Sequence, residues 1–297
     1  MKSYFLKLLS LSLLFAACKN GNDKPVASGS FEAVETIVSA EVNGKILELN
    51  VEEGDVLKQS QRVGYIDSTQ LYLNKMQLVQ NRKAILSGMP DVKTQLDVLY
   101  KELNNALSDK QRIENLVKGN VASQKQLDDA NTRIAVLQSK IAAQKSTLTS
   151  NTSTITEQSN TVEIQLAQVE DQLRRCIINN PVNGTVLAKY ANTYEMTAAG
   201  KPLYKIADLN NIILRAYITG NQLSTIKLNQ KVKVLTDDSK GVMKETEGII
   251  TWISDKAEFT PKTIRTKDER ANLVYAIKIN VKNDGTYKIG MYGEIKL

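Results

Sequence analysis

In 297 residues the chain has two cysteines, Cys18 and Cys176, and no histidine. The missing histidine removes Ser-His-Asp and Cys-His nucleophilic sites, histidine general bases and almost every zinc site. Neither G-x-x-x-x-G-K-[ST] nor G-x-G-x-x-G occurs, so phosphate-cradling loops are missing too. Three local constellations remain. Cys18 ends a charged and then apolar leader, the setting for covalent lipid attachment. Cys176 stands beside Ile177 and Ile178 and reads as a small buried hydrophobe. Arg112, Leu116 and Ser123 are spaced R-x3-L-x6-S around Gly119-Asn120. They offer a multi-donor fork, an apolar knob and a hydroxyl able to cap a helix as well as donate outward. The plainer alternative makes Leu116 a seam residue, Arg112 a solvated charge and Ser123 only a cap. Either way this is contact chemistry, and no bond-making site emerges.

Lys2 and Lys7 precede the apolar run Leu8 to Phe15. That run is too short to span a bilayer as a helix, and its layout is that of a secretory signal. Ala16-Ala17 directly before Cys18 resembles a bacterial lipobox, with Phe15 where Leu or Val is usual. Cleavage there would leave Cys18 as a lipidated N-terminus, and more than one acyl chain anchors firmly to a membrane surface. The alternative is an ordinary signal peptide with an incidental cysteine. Residues 19–25 read as a polar tether. With Cys18 acylated, Cys176 is the one remaining thiol and no intramolecular disulfide can form.

The formal charge is +7, and losing Lys2 and Lys7 with the leader leaves about +5. Lysines and arginines are spread among acids rather than clustered with aromatics, which argues against nucleic acid as a partner. Apolar residues make up 42% of the chain but aromatics only 5%. That balance suits a chain with much exposed long helix better than a compact enzyme.

The elements that must position these residues are announced by an internal repeat. Val42-Asn43-Gly44-Lys45-Ile46-Leu47 matches Val182-Asn183-Gly184-Thr185-Val186-Leu187 at an offset of 140. Val56 and Met196, Val63 and Leu203, and Ile66 and Ile206 continue it, while Gly54 faces Tyr194 and Ser60 faces Gly200. Each copy alternates apolar and polar residues between turn signals and reads as small β-hairpins, with Gly44, Gly54, Gly184 and Gly200 at structural turns. Neither copy could bury a useful core alone, so the two are expected to pack as one domain.

Between the copies, residues 68–175 carry a/d spacing. Val92, Leu96, Leu99, Leu103, Ala106, Lys110, Ile113 and Val117 form one seam. Leu127, Ala130, Ile134, Leu137, Ile141, Gln144, Leu148, Asn151 and Ile155 form the second, which Val162, Leu166, Val169 and Leu173 extend after one shift of phase. Such spacing predicts an antiparallel coiled-coil hairpin turning at Gly119-Asn120, with Gly88 and Pro90 interrupting the ascending arm. Residues 208–297 return to short strands, which predicts a small β-barrel with a final sheet near it. The expected divisions are a leader over 1–18, a tether and first membrane-proximal strand over 19–37, a first half-motif over 38–67 and the hairpin over 68–175. The second half-motif follows over 176–207, the barrel over 208–280, and a last strand of the barrel or of a membrane-proximal domain over 281–297.

A split half-motif, an inserted coiled-coil hairpin, a β-barrel and a lipobox together resemble the HlyD-type periplasmic adaptors, or membrane fusion proteins. The stretch Trp252 to Lys262, followed by Thr266-Lys267-Asp268-Glu269-Arg270, is similar to a branch that commonly serves ABC-type exporters. Tyr287-Lys288-Ile289-Gly290-Met291 is similar to the family's closing Lys-Pro-Gly-Met, with Ile289 in place of proline. The resemblance implies an elongated α+β chain: a split lipoyl-like (biotinyl-lipoyl) domain with the hairpin inserted, then the barrel and a membrane-proximal β-domain. It implies a non-catalytic adaptor without cofactor in the periplasm of a Gram-negative bacterium, lipid-anchored to the inner membrane. Its implied partners are an inner-membrane transporter, a TolC-type outer-membrane duct that meets Arg112, Leu116 and Ser123, and further copies of itself in a ring of three or six. Two other readings are a structural coiled-coil lipoprotein and a lipoyl or biotinyl carrier. The carrier needs a modifiable lysine at an intact hairpin turn, whereas Lys45 lies next to Gly44 in strand pattern.

Overall fold

A computed structural model describes residues 26–237, 243–259 and 273–296. The expected leader with Cys18, the expected tether up to Pro25, and residues 260–262 and 266–270 of the stretch likened to an exporter branch lie outside the described residues.

The chain begins with β1 (Ala27–Glu32) and continues through β2 (Glu35–Ser39), β3 (Gly44–Leu49), β4 (Val56–Leu57) and β5 (Arg62–Ile66). Helices α1 (Thr69–Ser87), α2 (Val92–Lys118) and α3 (Gln124–Arg175) follow. Then come β6 (Ile177–Asn179), β7 (Gly184–Lys189), β8 (Met196–Thr197) and β9 (Pro202–Ala207). The last part holds β10 (Asn211–Thr219), the short α4 (Gly220–Leu223), β11 (Lys231–Asp237), β12 (Met243–Phe259), β13 (Leu273–Lys282) and β14 (Tyr292–Lys296).

The repeat folds as one domain in which each sheet mixes both copies. One sheet runs β2-β9-β7-β4 and the other β6-β5-β3-β8. Ile46 and Val186 are buried in a common core, against which Val42 and Val182 pack. The offset of 140 is a pseudo-twofold axis that the hydrogen bonds obey. Gly54 N–H donates to Val186 O at 2.9 Å, and Tyr194 N–H donates to Ile46 O at 2.7 Å. Asn183 Oδ1 accepts the N–H of Gln59 at 2.8 Å, and Asn43 Oδ1 accepts that of Ala199 at 2.9 Å. The repeated asparagine thus caps a turn of the opposite copy. Gly54 and Gly200 occupy turns with φ of +95° and +86°, and their partners Tyr194 and Ser60 take φ of 73° and 63° without being glycine. Gly44 and Gly184 are not in turns. They open β3 and β7, where a Cβ on Gly184 would stand 2.5 Å from Ala207 O and one on Gly44 would stand 2.8 Å from Ile66 Cγ2. Their requirement is close approach between strands, and the turn chemistry of Asn-Gly does not apply.

β2 also belongs to this domain, so it starts three residues inside the span expected for the tether. β1 departs further from expectation. It pairs with β10 and β14 and is a strand of the closed barrel β1-β10-β13-β12-β11-β14. Alternation puts Ala27 and Phe31 inward, and Phe31 stacks on Tyr287 with ring centroids 4.9 Å apart. At the other end β14 closes the barrel between β1 and β11, so the C-terminal strand is the barrel's own. Every described strand lies in the barrel or in the two lipoyl-like sheets. The Lys288-Ile289-Gly290-Met291 turn fastens β1 to the approach of β14, with Gly290 N–H on Phe31 O at 2.8 Å and Phe31 N–H on Met291 O at 2.9 Å.

Helices α1 and α2 run antiparallel to α3, whose 52 residues extend about 78 Å at 1.5 Å per residue. Leu96 and Ala106 are buried against Ile134, Ile141 and Leu148 in the outer part, with Val162 and Val169 buried nearer the base. The ascending arm breaks between Ser87 and Val92. One seam residue is misplaced by the spacing argument: Asn151 is exposed and Thr152 turns inward in its stead. The phase shift therefore falls directly after Leu148, where the seam takes two steps of four.

Candidate docking surface at the hairpin tip

The tip is built by two caps and one left-handed residue. α2 ends as Gly119 N–H bonds back to Asn115 O at 3.2 Å, and Asn120 takes φ of 57° to reverse the chain. Asparagine tolerates this region better than most side chains. Leu116 O then accepts from Val121 at 2.8 Å and from Ala122 at 3.3 Å, which satisfies a carbonyl that the helix end would leave open. Ser123 starts α3 with a full capping box: Gln126 N–H reaches Ser123 Oγ, and Ser123 N–H donates to Gln126 Oε1 at 2.8 Å.

Each expected tip residue has a definite place. Arg112 is exposed and pairs with Asp109 one turn earlier at 2.9 Å. Leu116 is 41% exposed, while Ile113 and Val117 on either side of it face the seam more closely. Leu116 is therefore not a seam residue. Ser123 does cap, and its hydroxyl is shared with Gln126. Arg112 and Leu116 stand four residues apart and so share one face of α2. Val121, 76% exposed, adds a second apolar side chain at the same end. Sequence reasoning missed Val121 and Gln126, although the S-x-x-Q spacing of Ser123 and Gln126 announces the capping box.

A concavity of about 1170 Å³ lies between the hairpin base and the lipoyl-like domain, lined by Val42, Lys45, Leu71, Ile164, Asp171 and Arg175 among others. Three of its charges are paired with one another. Arg175 holds Asp171 at 2.7 Å and Glu41 at 3.4 Å, and hydrogen bonds from Arg175 and Arg174 keep the Asp171 carboxyl below its ordinary range. Cys176 beside it is fully buried, and burial raises its thiol above the usual value. Its Sγ donates to Gln172 O at 3.4 Å, the geometry of a packing residue. Lys45 is on a strand, with its ammonium 5.1 Å above the Tyr194 ring. It stands at no turn where a carrier group could swing. Among the described residues no group of three or more His, Cys, Asp or Glu side chains could hold a metal, and no helix is long and apolar enough to cross a membrane.

No family model matches the chain. The UPF0194 membrane protein YbhG of Salmonella gallinarum is 32% identical over 117 residues, which is 39% of this chain and 35% of that protein. The protein of the same name in Salmonella arizonae matches to the same extent, so the shared segment spans about a third of these curated relatives. Among solved structures, MacA from Actinobacillus actinomycetemcomitans superposes with a TM-score of 0.54 at 24% identity, over 93% of this chain and 79% of that one. The membrane fusion protein Spr0693 from Streptococcus pneumoniae R6 gives 0.52 at 15% identity, over 91% of this chain and 97% of that one. A MacA–MexA chimera carrying the Pseudomonas aeruginosa MexA α-hairpin also gives 0.52 at 22% identity, over 93% of this chain and 82% of that one. With its two-copy lipoyl-like domain, inserted hairpin and closing barrel, the chain has the fold of the HlyD-type membrane fusion proteins.

Proposed function

We propose that this chain is a non-catalytic periplasmic adaptor of an export assembly. Cys18 carries the lipid anchor, the β-domains meet an inner-membrane transporter of the ABC type, and the hairpin tip docks a TolC-type outer-membrane duct. The observation that carries the reading is the tip itself. An arm about 78 Å long ends in a turn whose backbone is closed by its own caps while Arg112, Leu116 and Val121 stay exposed. Exposed apolar side chains on a stiff, prepaid turn are what a contact surface needs, since little ordering entropy remains to be lost on binding.

The work of such a subunit is mechanical: it holds two membrane partners at a fixed separation, and the energy comes from the transporter. A second surface supports assembly of several copies. Tyr72, Met76, Val79 and Leu86 form an exposed stripe on α1 at steps of four, three and seven. Tyr72, Met76 and Val79 lie at the same height as the groove containing Ile164, and Leu86 continues the stripe beyond it. A stripe on one copy that seats in the groove of the next is a heterologous contact, the kind that closes rings, here of three or six copies.

Affinity purification from crosslinked envelopes tests the reading. The chain should bring down both a transporter and a duct protein from the membrane fraction. In the same fractionation Cys18→Ser should lose acyl labelling and move to the soluble periplasm. Recovery of the chain alone, or acylation that survives the substitution, would overturn the corresponding part.

A further inference from the structure

Both arms of the hairpin weaken at one height. The ion pairs Lys75–Glu170 at 2.8 Å and Arg82–Glu163 at 3.0 Å set the register of α1 on α3. By that register the gap between α1 and α2 lies opposite Thr156. On the ascending side each piece closes its own ends. Gly88 and Met89 donate back to Ile85 and Leu86 at 3.1 Å each, Pro90 has no N–H to offer, and α2 restarts under Asp91. The Asp91 carboxylate accepts the N–H of Thr94 at 3.0 Å and its hydroxyl at 2.6 Å.

On the descending side α3 is unbroken but changes character. Of the seam positions level with the gap, Thr152 and Ser159 carry hydroxyls and only Ile155 between them is aliphatic, whereas aliphatic residues stand above and below. Two successive steps of four, from Gln144 to Leu148 to Thr152, locally unwind a coiled coil. Thr149, Thr154, Thr156 and Thr161 each return a hydroxyl to the carbonyl four residues back, at 2.8–3.0 Å, a habit that bends helices. Thr152 Oγ1 is buried with no hydrogen-bond partner. A gap of about 360 Å³ separates Val92 from Thr149, Thr152, Ser153 and Thr156.

We infer that this height is a joint, about which the outer segment (α2 with Gln124–Leu148) tilts as a body on the base (α1 with Ile155–Arg175). This arrangement leaves the covered Thr152 hydroxyl unsatisfied beside a cleft that is open to solvent, a cost that tilting removes by exposing the hydroxyl to the cleft's water. Ile155 is the one aliphatic seam residue at this height, between Thr152 and Ser159, so little interlock resists the motion, and the ascending arm has no helical hydrogen bond to break. The inference does not depend on the adaptor reading, since it concerns the hairpin alone. If both hold, the joint lets one subunit keep its tip on a partner while its base moves.

The test is a pair of spin-label distance distributions measured by double electron–electron resonance on the full chain in a Cys18→Ser background, Cys176 being buried. Labels at the exposed positions Gln80 and Asn105 span the joint, and labels at the exposed positions Lys125 and Lys145 lie within the outer segment. The spanning pair should give a broad or two-peaked distribution and the control a narrow one. Pro90→Ala combined with Thr152→Leu, which restores helix and seam, should narrow the spanning distribution to the width of the control. A spanning distribution as narrow as the control overturns the joint without any repaired variant. So does a broad one that the repair leaves unchanged in a chain that still folds.

Discussion

At the scale of single residues, the least expected group is a buried polar pair at the centre of the lipoyl-like domain. Asn180 is fully buried, donates through Nδ2 to Lys58 O at 2.9 Å, and accepts the Tyr204 hydroxyl at 3.0 Å. Its backbone also bonds Ser60 and Gln61 of the first copy, so one side chain and its peptide groups fasten a turn made 120 residues earlier. Burial pushes the Tyr204 hydroxyl up to about 12 from 10. A phenol whose folded value is raised contributes stability that is complete below pH 10 and is lost as pH climbs toward 12, because the unfolded chain releases its proton first. Tyr204→Phe should cost about 1 kcal/mol at pH 7 by leaving Asn180 Oδ1 unpaired. The variant escapes the alkaline loss, so the gap between the two proteins should close and then reverse by pH 11. Urea unfolding at pH 7, 9 and 11 reads this directly. A gap that stays constant across the series would mean that the hydroxyl ionises freely in the folded domain.

At the scale of elements, the offset of 140 was legible because both copies need the same backbone path. Val-Asn-Gly recurs since each asparagine caps the other copy's turn and each glycine lets two strands approach. The turns at Ser60 and Tyr194 were marked only through their pairing with Gly200 and Gly54 in the repeat, since the left-handed region there falls on residues that are not glycine. β1 was misassigned for a related reason. Its partner β10 lies about 180 residues away, and no local pattern encodes so distant a pairing. The hairpin seams were readable wherever aliphatic residues mark them, and the phase slipped at Asn151 where only hydroxyl side chains were on offer. The close-approach reading of the glycines ranks three substitutions. Gly184→Ala drives a methyl into the Ala207 backbone, which cannot yield, and should cost about 2–3 kcal/mol as overpacking. Gly44→Ala meets the end of the Ile66 side chain first and should cost less. Gly54→Ala finds open space and bears only its positive φ, about 1 kcal/mol. Thermal or urea unfolding of the three variants supplies the order, and a Gly54 variant as damaged as the Gly184 one would show that these glycines serve their turns after all.

At the scale of the whole molecule, stability and contact are kept apart along the long axis. The two buried clusters sit in the barrel and in the lipoyl-like domain, while the tip holds itself together through caps. Arg112→Asp and Leu116→Ser therefore act where little folding energy is stored. Arg112 makes only an exposed pair with Asp109, worth at most about 1 kcal/mol. Leu116 lies outside the seam, and its carbonyl, which closes the tip, survives any side-chain change. The double variant should keep its helix content and its abundance and, if the chain is the proposed adaptor, its binding to a transporter. If the tip meets a duct, the same variant should lose crosslinking from a cysteine at Val121 and lose export in parallel. A packed anchor at the centre of an interface costs roughly 2 kcal/mol or more when removed, which is about a thirtyfold fall in affinity. Ser123→Ala supplies the contrast. It removes the cap of α3 and should cost about 1 kcal/mol of local helix stability, so its effect on export should follow loosening of the tip rather than loss of a contact. Hydrogen exchange at residues 124–127 separates the two cases: faster in Ser123→Ala, unchanged in Arg112→Asp with Leu116→Ser. Undiminished crosslinking and export in the double variant would show that the tip serves only to turn the chain.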